Sequence, residues 1–243
     1  MKKFACITVA AALATTVALA GCGQATPPKA ETKPAENKPT EQVVGGWTAC
    51  DGTTPSVTDE EGQVFDQAVA SLEGVRYEPV RVLATQVVSG TNYAYLARGT
   101  TNTAEPAASW YVVVVYQDLS GNVSLASAKP IDLADTKTTN ETTSADMVGG
   151  WEVRDPANSV LEPKEAADAF DKASESYADV TLSPVATLGS QVVAGANYLV
   201  LCSGTPSGSN ARTQLYLATV YVNPQREATI ADVRGFDLLA YVG

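Results

Sequence analysis

The sequence predicts an α+β fold built from two tandem units, each with one helix packed on a four- to five-stranded antiparallel sheet. Three observations carry that expectation. The chain repeats itself, because Gln86-Val87-Val88-Ser89-Gly90-Thr91-Asn92-Tyr93 returns as Gln191-Val192-Val193-Ala194-Gly195-Ala196-Asn197-Tyr198, an offset of 191 − 86 = 105. Phe65 and Phe170, Tyr111 and Tyr216, Tyr116 and Tyr221, and Asp132-Leu133 and Asp237-Leu238 keep the same offset. A repeat of roughly 100 residues is long enough to close a core unaided, so it reads as a duplicated domain and not as a solenoid unit. In each copy an apolar stripe of helical period comes first, and runs rich in Val, Tyr, Thr and Leu follow it.

In chain order, Lys2 and Lys3 precede an apolar run ending in Leu19-Ala20-Gly21-Cys22. Residues 1–21 therefore read as an export signal and not as a spanning helix. Their ending resembles the lipobox of bacterial lipoproteins, which implies a lipid on the Cys22 thiol and Cys22 as the mature N-terminus. The resemblance places the protein outside the cytoplasm, held on a membrane at a Gram-positive surface or in a Gram-negative envelope. Two or more acyl chains, at roughly 0.8 kcal/mol per buried methylene, make such an anchor stable. Residues 22–42 carry Pro27, Pro28, Pro34 and Pro39 among polar residues and read as an extended tether.

The first unit spans 43–133. Thr58 with Glu61 fits a capping box, and Val64, Phe65, Ala68, Val69 and Leu72 share one helical face. Strands are expected over 75–88, 93–99, 110–118 and 123–133. Residues 134–145, rich in Thr, Asn and Asp, read as a linker. The second unit, 146–243, repeats the pattern, with Pro163 at a helix start and Ala166, Phe170, Ala173 and Tyr177 as the stripe. Its Gly-Gly-Trp is offset by 149 − 45 = 104, so one extra residue precedes the second helix.

Composition limits the function. A formal charge of −11, with two of the sixteen basic residues in the leader, argues against nucleic acid as a partner. The absence of histidine removes imidazole bases, His-based triads and the commonest transition-metal ligand. Acidic residues are scattered, with no calcium loop and no spaced carboxylate pair. No enzyme activity, metal, cofactor or small-molecule substrate is therefore expected. Cys6 lies in the leader. Cys50 and Cys202 fall in different copies, and two readings stand: one bridge in an oxidising compartment, or two separate buried thiols.

The hairpin segments Gln86-Val87-Val88-Ser89-Gly90 and Gln191-Val192-Val193-Ala194-Gly195 resemble the Gln-x-Val-x-Gly motif of the cystatin family of cysteine-protease inhibitors. Val44-Gly45-Gly46 and Val148-Gly149-Gly150 resemble that family's Gly-containing N-terminal trunk. The resemblance spans each copy, helix first and strands after, and implies tandem cystatin-like domains. It implies a wedge of trunk, first hairpin and second hairpin that fills the groove of a papain-like cysteine protease and keeps substrate from its thiol. The implied second hairpins are Leu119-Ser120-Gly121 and the loop containing Pro224 and Gln225; neither holds the Pro-Trp of many members. Trp47 and Trp151, next to the trunks, read more simply as side chains packed on the sheet or the helix. The sequence thus supports two functions: inhibition of papain-like proteases, or a non-inhibitory binding or assembly module of the envelope.

Overall fold

Each repeat folds as a five-stranded antiparallel meander with one helix inserted after its first strand. The computed structural model describes residues 46–50, 56–133, 150–154, 161, 163–208 and 211–242. The first repeat holds β1 (Trp47–Ala49), α1 (Asp59–Val69), β2 (Val75–Val88), β3 (Gly90–Thr101), β4 (Ala108–Asp118) and β5 (Val123–Pro130). The second holds β6 (Trp151–Val153), α2 (Lys164–Ser174), β7 (Val180–Val193), β8 (Gly195–Pro206), β9 (Gln214–Val222), β10 (Ala228–Gly235) and a 3-10 turn (Leu238–Ala240). The sheets run β1-β2-β3-β4-β5 and β6-β7-β8-β9-β10, each strand hydrogen-bonded to its neighbour in sequence, with β1 and β6 joined to β2 and β7 across the helix connection. The leader, Cys22, the tether and the 134–145 linker lie outside the described residues, as do Val44, Gly45, Val148 and Gly149.

Local chemistry accounts for the helices. The Thr58 hydroxyl accepts from the Glu61 N–H at 3.3 Å while the Thr58 N–H donates to Glu61 Oε2 at 2.8 Å, the reciprocal cap expected for α1. At α2 Pro163 stands at the cap position, where no side chain accepts from the first turn. The apolar stripe of α1, Val64, Phe65 and Ala68, covers Val82, Tyr95, Ala97, Val113 and Val115. That of α2, Ala166, Ala169, Phe170 and Ala173, covers Tyr198, Val200, Cys202, Ala218 and Val220.

The predicted α+β class, two cystatin-like domains each closed on its own core, is wrong: the described chain is a β-rich sandwich. Val112, Val113, Val114 and Val115 are all buried. Alternate residues of a strand face opposite sides, so both faces of this sheet are covered. Val113 and Val115 lie under α1, whereas Trp110, Val112 and Val114, with Leu83, Leu96, Ile131 and Leu133, pack against Val185, Leu188, Leu199, Leu201, Leu217 and Phe236 of the second sheet. Those seven side chains of the first sheet, at roughly 1.5–3 kcal/mol each when withdrawn from water, together match the roughly 5–15 kcal/mol net stability of an ordinary domain, so leaving them exposed would cost as much as such a domain has. A helix on one face could not replace that cover. The layers therefore run helix, sheet, sheet, helix, and the described residues belong to one compact unit.

Two bulges bend β2, between Pro79 and Arg81 and between Val82 and Ala84, and two bend β7 at the matching positions, between Pro184 and Ala186 and between Thr187 and Gly189. The second bulge in each strand frees a leucine carbonyl. Leu83 O accepts from the Cys50 N–H at 2.9 Å, and Leu188 O accepts from the Arg154 N–H at 3.0 Å and from Trp110 Nε1 of the opposite sheet at 2.8 Å. The last of these is buried and ties the two sheets together. Trp110, Ile131 and Leu133 stand at the end of their sheet remote from its β2–β3 turn. They meet Leu188 and Gly189, close to the β7–β8 turn of the other; a Cβ on Gly189 would stand 3.0 Å from Leu133 Cδ1. The turns that carry the repeated motif therefore do not lie side by side.

The possible Cys50–Cys202 bridge is also corrected, since no disulfide joins them. Cys202 is buried under α2 and Cys50 packs with the cluster under α1, on opposite outer faces of the sandwich. Among the described residues no helix is long and apolar enough to cross a membrane.

Candidate functional site

Register alone brings three segments to one end of each sheet. In the first, Trp47 pairs with Gln86, so Gly46 enters beside the stem of the β2–β3 hairpin. Gly90 pairs with Asp118, which sets the β4–β5 loop against the other side of that hairpin. In the second, Trp151 pairs with Gln191 and Ala196 with Val222. Gly46, Gln86 to Gly90 and Leu119 to Gly121 thus form one edge; Gly150, Gln191 to Gly195 and Pro224 to Gln225 form another. Trp47 and Trp151 do not join these edges but pack into the core between the sheets.

The hairpin tips are held by bonds that recur in both copies. Asn92 Nδ2 donates to Gln86 Oε1 at 2.7 Å and Asn197 Nδ2 to Gln191 Oε1 at 2.8 Å, bridging the two stems. The Tyr116 hydroxyl donates to Ser89 O at 2.6 Å, and the Tyr221 hydroxyl to Ala194 O at 2.7 Å. Gly90 and Gly195 take φ of 138° and 116°, and a Cβ on either would collide with the carbonyl oxygen of Gln117 or Val222. Glycine is required there by backbone conformation and by the close approach of the next strand. The motif's Gln and Gly are thus parts of the turn itself, and the side chains left for contact are the valines and residues at the loop crests.

Each edge exposes large apolar side chains. Leu119 is 86% exposed and Val192 69%, with Val88 and Val193 also exposed. The loop behind Leu119 is fixed by Asp118, whose Oδ1 accepts from the N–H groups of Ser120 and Asn122 at 2.8 and 2.9 Å and whose Oδ2 accepts from Asn122 Nδ2 at 2.7 Å. These bonds, led by those from Asn122, hold the Asp118 carboxyl below the usual carboxylate range. The sister loop is built alike: Asn223 Oδ1 accepts from the N–H groups of Gln225 and Glu227 at 3.0 and 2.9 Å. There Arg226 has φ of 65°, the left-handed conformation that Gly121 takes in the first copy at 85°. A side chain in that region costs roughly 1–2 kcal/mol.

The sequence places Asn92 and Asn197 in the repeated hairpin stretch but does not show their bonds to Gln86 and Gln191, and it leaves Tyr116 and Tyr221 unassigned to the edges although both recur at the 105-residue offset. Nor does it show the strain at Arg226, which no local pattern announces. Among the described residues neither edge assembles a nucleophile with a base, and no group of three or more His, Cys, Asp or Glu side chains is placed to hold a metal. What each edge offers is a stiff, largely apolar projection. No protein-family model matches the chain, and no curated protein matches it.

Proposed function

We propose that the protein is a surface-anchored, protein-binding lipoprotein, and that each edge acts as a wedge entering the groove of a papain-like cysteine protease to exclude substrate. The observation that supports the reading is the contiguity, twice over, of the chain entry at Gly46 or Gly150 with the two hairpins, under crests that expose Leu119 and Val192. Exposed apolar side chains such as Leu119 and Val192 enter a cleft without stranding charge, and a turn already fixed by its own hydrogen bonds loses little freedom on binding. Specific contacts of this kind bury about 1,600 Å² in total, of which one edge would contribute about half. Membrane attachment through Cys22 belongs to the same proposal and would hold both edges near the cell surface.

The Gly requirement at Gly90 and Gly195 favours a second reading, a binding module of the envelope that inhibits no protease, because the fold alone demands those glycines. One titration separates the two. Papain activity is measured against the full chain, against Leu119→Asp and Val192→Asp singly, and against both together. Both crests are exposed, so these changes leave the fold intact. Under the inhibitor reading each single change removes one edge and the double change abolishes inhibition. Full papain activity at micromolar concentrations of the unmodified chain sinks that reading and leaves the second.

A further inference from the structure

The two edges differ in one respect that packing does not require. Gly121 serves the first loop without strain, yet at the matching position of a loop with the same hydrogen bonds stands Arg226, at positive φ and exposed. Among the described residues it is the one non-glycine with positive φ, and its guanidinium makes no ion pair there. The exposed Glu227 beside it keeps its charge but makes no ion pair with Arg226, its Oε2 accepting instead from Asn223 Nδ2 at 2.8 Å. Arg226 stands on the same edge as the exposed Val192 and Val193, because the direction of a Cβ on Gly195 runs to 3.2 Å from Asn223 Cα. In a chain of net charge −11 this is a cation set beside an apolar crest, whereas the corresponding loop of the first edge presents Asp118 and Leu119. Strain retained at an exposed loop crest, where glycine would remove it, points to a contact made by the side chain.

We infer that Arg226 is a specificity-determining residue of the second edge, which accepts a partner presenting a carboxylate beside an apolar cleft, while the first edge accepts one without it. The inference rests on the proposed function and names the partner chemistry of one of its two sites. A cation at the rim of an interface acts mainly through association rate and salt dependence.

The test uses the full chain carrying Leu119→Asp, which silences the first edge, with papain as probe. Inhibition is titrated from low to high salt for this chain and for the same chain with Arg226→Gly, Arg226→Glu or Arg226→Lys, and the thermal midpoint of each is recorded. The expected result is a loss of about three- to tenfold for Arg226→Gly at low salt, a larger loss for Arg226→Glu, retention for Arg226→Lys, and convergence as salt screens the charge. Arg226→Gly is expected to raise the midpoint while weakening inhibition. A purely structural role would move the two together. Inhibition by all four chains that is equal at every salt concentration overturns the inference and leaves the proposed function standing. If the chain without any substitution fails to inhibit papain, the proposed function falls, and the inference with it.

Discussion

At Arg226 the energetic terms oppose one another, and their sizes decide the sign. Relieving left-handed strain returns roughly 1–2 kcal/mol, and the extra freedom of glycine in the unfolded chain takes back roughly 0.5–1. Arg226→Gly is therefore expected to stabilise the fold by about 0.5–1 kcal/mol, read as a higher denaturant midpoint at unchanged slope. Tyr95 gives the second expectation at this scale. Its ring is buried against Phe65 with the hydroxyl donating to Glu61 O at 3.0 Å, and burial, then the charges of Glu61 and Tyr93, push its ionisation well up. The folded group stays protonated where an unfolded tyrosine ionises, near pH 10. Its contribution is thus complete below about pH 10 and is lost as pH rises beyond it. Stability measured from pH 8 to 12 should fall in the upper half of that range for the parent chain and fall less steeply for Tyr95→Phe. Residue types in the hairpin motif were legible in the sequence, but not their division of labour. Whether Gln86 meets a partner or its own Asn92 depends on a cross-strand register that spacing does not fix.

The helices and long strands were the most legible elements, because period and capping are local. Thr58 and Glu61 announced α1, and Thr58→Ala is expected to cost about 1 kcal/mol, seen as a lower midpoint and faster amide exchange in the first turn. The corresponding first turn of α2, which begins after Pro163 without a side-chain cap, should exchange faster than that of α1 in the parent chain. The three-residue strands β1 and β6 were not legible as strands. They exist because Trp47 and Trp151, each half-buried, pack against the core between the sheets and because the bulge at Leu83 or Leu188 supplies a carbonyl to the residue that follows each strand. A bulge leaves no clear mark in a run such as Val80 to Val88.

At the scale of the whole molecule, duplication was legible and its consequence was not. The sign was present in Tyr111 to Tyr116, where four valines in succession leave no polar face, as expected of a strand covered on both sides. The helix accounts for the cover on one side only, and the other side requires a second sheet. Because the sheets share a core, heating or denaturant should unfold them in one cooperative transition, with calorimetric and van't Hoff enthalpies equal. Two separated transitions, or a first repeat that stays folded when the second is removed, would show the cores to be independent.

The shared core also bears on how such a gene can change. Recombination between the two copies yields chains with one repeat or with three, and either number leaves a sheet with Leu96, Trp110, Val112 and their neighbours facing water. The packing of the two sheets therefore favours repeats in pairs, and an odd repeat would keep its apolar face dry only against a second chain.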